Sequence, residues 1–268
     1  MSGKLAILAG GGALPVALAD AAPDALCISF AGVAHQLGNR PRQHKFEHLG
    51  SVFQDLRANG VTQVTFGGSM SRPPLDPAEF DSMMMSLAPR LLAGMQGGDD
   101  ALLRLVIQIF EDQGFEVVGA HEVAPDLTVA EGLLCGPEPD EQALKDADRA
   151  ADILNALAPV DVGQGCVVAG GICLGIETIQ GTDALLKFVA NTPEGLLRGQ
   201  RSVFVKSPKR GQDLRVDMPA IGPDTLRNAA KAGIQGIVLQ AGQVLLLERK
   251  TLLKLADDAG IFIMGRVL

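Results

Sequence analysis

Lys4-Leu5-Ala6-Ile7-Leu8-Ala9-Gly10-Gly11-Gly12-Ala13-Leu14-Pro15 is the stretch from which the fold can be read. The unbroken apolar run after Lys4 predicts a strand buried on both faces. The three glycines predict a tight turn. Pro15 suits the first turn of a helix, where its missing N–H costs nothing, and an Ala-rich run carries that helix to about Ala22. Strand, glycine turn and helix together open an α/β domain with parallel strands and right-handed crossovers. The apolar run is too short for a secretory leader and leads straight into the turn, so it is read as a first strand.

Working outward, strands are predicted at 25–30 and 62–66, the latter ending in Gly67-Gly68-Ser69. A helix over Ser51–Asn59 is closed by Gly60. Gly97-Gly98-Asp99-Asp100 precedes an apolar helix that ends near Gly114, with Asp99 or Asp100 as its cap. Phe115–Val118 resumes as a strand. Two prolines and two glycines within 132–140 predict a hinge. The expected organisation is a Rossmann-like, parallel-sheet nucleotide-binding domain over 1–132, a hinge at 133–140, and a mixed α/β catalytic domain over 141–268. In the second half a helix runs from Glu141 to Ala158. A hairpin of strands at 165–169 and 172–179 turns on Gly170-Gly171. A helix opened by Gly181-Thr182-Asp183 and a strand at 202–206 follow. After a polar loop at 207–224 come a helix at 224–232, strands at 236–240 and 244–248, a helix at 249–259 and a strand at 261–265.

With 268 residues, the chain is long enough for two ordinary domains. Its 47% apolar content admits two explanations, sheets covered on both faces or an apolar ligand. No apolar run reaches the roughly 18–20 residues a membrane span needs, and a cytoplasmic location is expected. A net charge of −8 argues against nucleic acid as the main partner, as does the absence of Trp and Tyr. Cys27, Cys135, Cys166 and Cys173 lack C-x-x-C spacing and read as small apolar residues. His44 and His48 stand four apart, but no acidic partner completes a zinc motif.

Four constellations can carry chemistry. Gly10-Gly11-Gly12 can bring backbone N–H groups to phosphate oxygens at a helix start, yet Pro15 occupies the third glycine position of a dinucleotide fingerprint. A tight turn without ligand, a nucleotide or sugar contact, and a dinucleotide site stay open there. Asp99-Asp100 supplies one more carboxylate than a cap needs. Lys206, Lys209, Arg210 and Arg215 share twenty residues with Asp213, Asp217 and Asp224. Asp213, Arg215 and Asp217 would share a face of an extended segment. Such carboxylates can hold a divalent cation, while the cations neutralise a phosphoryl group. The bland account is a solvated loop with local ion pairs. Gly181-Thr182-Asp183 is a helix start that can cap itself or bind phosphate. No Walker A, nucleophile elbow or Cys/His pair is present.

Read together, these motifs are similar to one known family. Ala9–Pro15, Gly98–Arg104, Gly181–Ala184 and above all Gln212-Asp213-Leu214-Arg215-Val216-Asp217-Met218-Pro219-Ala220-Ile221-Gly222 resemble the LpxI-type UDP-2,3-diacylglucosamine pyrophosphatases of lipid A biosynthesis. The resemblance extends through Ala232-Gly233 to Leu247. It implies Mg²⁺-assisted hydrolysis of UDP-2,3-diacylglucosamine to UMP and 2,3-diacylglucosamine 1-phosphate (lipid X), with substrate held between two domains. On that basis Asp213 and Asp217 bind Mg²⁺ or position the attacking water, with Asp224 assisting. Lys206, Lys209, Arg210 and Arg215 neutralise the pyrophosphate. Gly10, Gly11, Gly12, Leu14, Gly67, Gly68 and Ser69 hold the uridine nucleotide, with Asp99 and Asp100 at the cleft. Gly181, Thr182, Asp183, Gly222 and Thr225 add substrate contacts. Two acyl chains also give the apolar content a functional explanation, and imply transient contact with the inner membrane. Homodimerisation is left open. One departure is Gln240, where the pattern expects an acid. The rivals are a non-catalytic lipid or nucleotide-sugar carrier and a nucleotide-linked oxidoreductase.

Overall fold

The computed structural model describes residues 3–70, 75–96 and 99–268, without the side chains of Asp99 and Asp100. The chain forms two compact units, Met1–Pro125 with Asp213–Asp217, and Asp126–Gln212 with Met218–Leu268.

In the first unit the elements run β1 (Lys4–Ala9), α1 (Leu14–Ala21), β2 (Leu26–Phe30), β3 (Arg42–His44), α2 (Leu49–Ala58), β4 (Val61–Gly67), α3 (Ser82–Gln96), α4 (Asp99–Asp112), β5 (Glu116–Val117) and α5 (Ala120–Val123). The five strands form one parallel sheet in the order β3-β2-β1-β4-β5. That order is doubly wound, with the direction of winding reversing between β1 and β4. Ala6, Leu8, Ile28 and Val64 pack with Val52, Phe53 and Leu56 of α2 and with Ile107 and Phe110 of α4. Phe110 meets Phe53 and Phe66 edge-on, at centroid distances of 5.1 and 5.2 Å.

The second unit comprises β6 (Gly132–Cys135), α6 (Glu141–Leu157), β7 (Gly165–Ala169), β8 (Ile172–Ile176), α7 (Thr182–Val189), α8 (Glu194–Leu197), β9 (Ser202–Lys206), β10 (Ala220–Ile221), α9 (Pro223–Lys231), β11 (Ile234–Gln240), β12 (Leu245–Leu246), α10 (Arg249–Ala259) and β13 (Phe262–Arg266). Its main sheet has the order β6-β13-β11-β9-β7-β8. The central strands β13, β11 and β9 are parallel, while β6, β7 and β8 pair antiparallel. Alternate residues divide between the two faces. Val167, Phe204, Ile237 and Ile263 face α7, α9 and α10, whereas Cys166, Val168, Val203, Val205 and Val238 face α6. Burial on both faces explains why these strands are continuous apolar runs, and accounts for much of the apolar content. The start of α6 is set by Asp140, whose side chain accepts from the Ala143 amide at 2.7 Å.

Two expectations are corrected. The stretch read as a hinge contains β6, an edge strand that pairs with β13. The strand expected at 244–248 shortens to β12, Leu245–Leu246, which pairs in parallel with β10 as a separate two-stranded ribbon.

Candidate active site

Lys206 ends β9 and is almost wholly buried, its side chain 5% exposed. All three ammonium donors are directed. Nζ donates to Glu177 Oε2 at 2.9 Å and Oε1 at 3.2 Å, and to Thr182 Oγ1 at 2.8 Å. Glu177 follows β8, and its amide donates to the Gly165 carbonyl at 2.7 Å. Gly165 is the register partner of Lys206 on β7, so it lies between acid and base. A Cβ there would stand 2.5 Å from Glu177 Oε2. The glycine therefore leaves room for the carboxylate to cross the strand. Thr182 opens α7, whose N-cap Gly181 adopts φ +83 and supplies no capping side chain. The Thr182 hydroxyl turns to Lys206. Asp183 accepts from Asn228 of α9 at 2.9 Å. Removing one partner of such a buried pair leaves an uncompensated charge, at a cost of about 3–5 kcal/mol.

The segment after β9 differs from its extended expectation. Residues 213–217 close one helical turn, with the Asp217 amide donating to the Asp213 carbonyl at 3.1 Å. Asp213 Oδ1 accepts from the Arg215 amide (3.1 Å) and Nε (3.0 Å), and Oδ2 from Nη2 at 2.7 Å. Arg215 Nη1 in turn donates to Glu111 of α4 at 2.8 Å. Hydrogen bonds from Arg215, then its charge and that of Arg104, hold the Asp213 carboxyl below the usual carboxylate range, against an opposing effect of partial burial. Val216 packs against the first unit's core. This stretch therefore belongs to the first unit, although it lies in the C-terminal half of the sequence.

The remaining predicted charges disperse. Lys209 pairs with Asp161 at 2.5 Å, and Arg210 is exposed. Asp224 lies in the first turn of α9, largely exposed, and pairs with Arg227 one turn on at 2.5 Å. It belongs to the second unit, so the three aspartates do not form one cluster within a unit. Gly222 precedes α9 with extended backbone, and Thr225 is half-buried in its first turn.

The glycine turns have a structural account. Gly10 and Gly11 donate their amides to the carbonyls of Gly67 and Ser69 at 2.7 and 2.8 Å, and the Ser69 amide returns to Gly11 at 3.2 Å. Two backbones thus meet with little space between them. A Cβ on Gly68 would lie 2.2 Å from the Gly11 carbonyl oxygen, and one on Gly10 would lie 2.5 Å from that of Ser69. The Gly10 and Gly11 amides are committed to this zipper, which removes the support they offered to a dinucleotide site. Gly12, with φ +85 and open space around it, and Leu14 at the start of α1 stand beyond it. Asp99 and Asp100 begin α4, but their side chains, like Gly97 and Gly98, lie outside the described residues.

Among the described residues no three His, Cys, Asp or Glu side chains gather around a common point. Both Asp213 oxygens are occupied by Arg215. As arranged, these donors do not fit a magnesium ion held by the Asp213–Asp217 pair. His44 is likewise not a metal ligand here: its ring nitrogens meet Ser51 and Asp55, each at 3.1 Å. Gln240, at the anomalous position, accepts from the Leu268 amide at 2.9 Å and so ties down the C-terminus. Sequence reading missed Glu177 and Glu111, which lie 29 and 104 residues from their partners and carry no local motif.

Comparison with known proteins covers the whole arrangement. Residues 4–127 match the family model for the LpxI N-terminal domain, and residues 130–264 that for the LpxI C-terminal domain. A Caulobacter vibrioides protein, UDP-2,3-diacylglucosamine pyrophosphatase LpxI, is 39% identical over 272 residues, covering 98% of this chain and 97% of its own.

Proposed function

This chain belongs to the LpxI family, and we propose from that premise that it hydrolyses the pyrophosphate bond of UDP-2,3-diacylglucosamine to UMP and 2,3-diacylglucosamine 1-phosphate. The observation that carries the proposal is the extent of the similarity, 39% identity over 98% of the chain, which takes in both units and the returning segment Asp213–Asp217. In the reaction a water oxygen bonds to one phosphorus as the bridging P–O bond breaks, and the departing phosphate keeps the electron pair. Lys206 adds positive charge there, and the Thr182 hydroxyl, which accepts from its ammonium, keeps its own O–H to donate to the charge that builds. Asp217 takes the proton of the attacking water, and Asp213 sets the Arg215 guanidinium. Asp224 takes no part in this step, its exposed carboxylate being paired with Arg227 at the start of α9. No described helix is long and apolar enough to cross a membrane. The two acyl chains of the substrate belong in a bilayer, and on that ground it would be met at the membrane surface.

The test is UMP release from UDP-2,3-diacylglucosamine. The wild type should turn over, and Asp217→Asn should lose about 100–1,000-fold in kcat while melting like the wild type. Near-wild-type turnover would remove Asp217 from the mechanism. We propose that magnesium is needed on the pyrophosphate oxygens of the substrate and not on the Asp213–Asp217 pair: EDTA should stop UMP release and added MgCl₂ restore it.

A further inference from the structure

We propose that Glu177 is a positioning residue for this reaction, acting through Lys206. The inference rests on the reading that Lys206 acts on the pyrophosphate by its charge and through Thr182. Lys206 stands at the C-terminal end of β9, in the parallel part of its sheet. Ligands of α/β sheets are met at such strand ends. A lysine stem has four rotatable carbons, and in open solvent its ammonium samples many positions. Here it has one: two of its hydrogen bonds reach Glu177, the third reaches Thr182, and Phe204 and Gly165 close the space around the carboxylate.

Two further features single out Glu177 over a generic counter-ion. The pair is placed by three adjacent strands, β8, β7 and β9, and is not held by flexible side chains alone. Gly163 and Gly165 on the approach to β7 are both too close to Glu177 for a side chain. Added Cβ atoms would lie 1.9 Å from its carbonyl oxygen and 2.5 Å from Oε2. Gly165 thus makes room for the carboxylate itself, and Gly163 for the backbone that carries it. Glu177 also keeps the Lys206 ammonium directed at Thr182, so that the hydroxyl, accepting from the ammonium, is left with its own O–H as a preset donor at the start of α7. Donors fixed before charge develops need no reorganisation as it does.

The experiment measures kcat and KM for UMP release with the full chain as wild type, Glu177→Gln, Glu177→Asp, Lys206→Met and the Glu177→Gln/Lys206→Met double variant. Lys206→Met should lower kcat by about 100–1,000-fold. Glu177→Gln keeps the side-chain volume and should lower kcat by up to about 100-fold, the scale of an angstrom-size misplacement, with KM within about twofold. The double variant should be no slower than Lys206→Met alone, because a group that acts through Lys206 has nothing left to position. Should Glu177→Gln fail to fold, Glu177→Asp, which keeps the charge and withdraws it by one methylene, carries the same expectation of a fall in kcat at unchanged KM. Wild-type kcat in the folded Glu177 variant beside an inactive Lys206→Met would overturn the inference and leave the proposed reaction standing. A double variant slower than Lys206→Met by the full Glu177 factor would also overturn it. Absence of UMP release from the wild type would instead sink the reaction itself.

Discussion

Asp213 shows how one side chain can serve stability and the site together. Its folded pKa is depressed by Arg215, so its contribution is complete above the ordinary carboxylate value of 3.8 and is lost as pH falls through the depressed one. Asp213→Asn should therefore melt below the wild type at neutral pH, with the gap in Tm closing on acidification below about pH 4. A gap that stays constant with pH would deny the linkage. Cys173 offers a second residue-level check. Cys166 lies 3.8 Å from it, Sγ to Sγ, and a hydrogen bond from that thiol pulls the Cys173 thiol down to about 6. Burial pushes Cys135 up to about 11. Cys173 is also exposed, so iodoacetamide at pH 7 should label it well before the other three, read by peptide mass. At this scale the sequence was partly legible. Residue type pointed to Lys206, Thr182 and Asp213. Glu177 and Glu111 were invisible, because what marks them is a partner supplied by another strand or by the returning segment, not a neighbour in sequence.

The elements were the most legible level. The helices over 141–157 and 249–259 follow from an Asp140 cap and from Gly260 at a left-handed C-terminus. The hairpin of β7 and β8 follows from Gly170-Gly171. β6 was read as a hinge because it is four residues long and runs into Gly136-Pro137, while its pairing comes from β13 at the far end of the chain. The β7–β8 turn has a support that no local pattern reveals. Asp146 of α6 is fully buried and accepts from the amides of Gly170 (2.9 Å) and Gly171 (2.7 Å), and from Gln142 at 3.0 Å. Asp146→Ala strands two backbone donors, and should cost about 1–3 kcal/mol by urea denaturation. An unchanged midpoint would mean that water replaces the carboxylate fully.

For the whole molecule, the unexpected feature is the return of Asp213–Asp217 to the first unit. Composition could not announce it, since the segment sits among residues of the second unit and its anchors, Val216 and Arg215, look like ordinary loop residues. Val216→Ala should cost about 1 kcal/mol for the methyl groups removed from partial burial. Hydrogen exchange should report the loss in α4 and β5, with the six-stranded sheet unaffected; loss of protection in that sheet would contradict the assignment. The same feature has a consequence in time. A chain leaves the ribosome from its N-terminus, and the first unit's last five residues follow an insertion of 87, Asp126–Gln212. At about 5–20 residues per second that is a wait of roughly 4–17 s. Throughout it the Phe110 cluster lacks its Val216 cover and Glu111 its arginine, so the part of the protein made first is finished after most of the part made second.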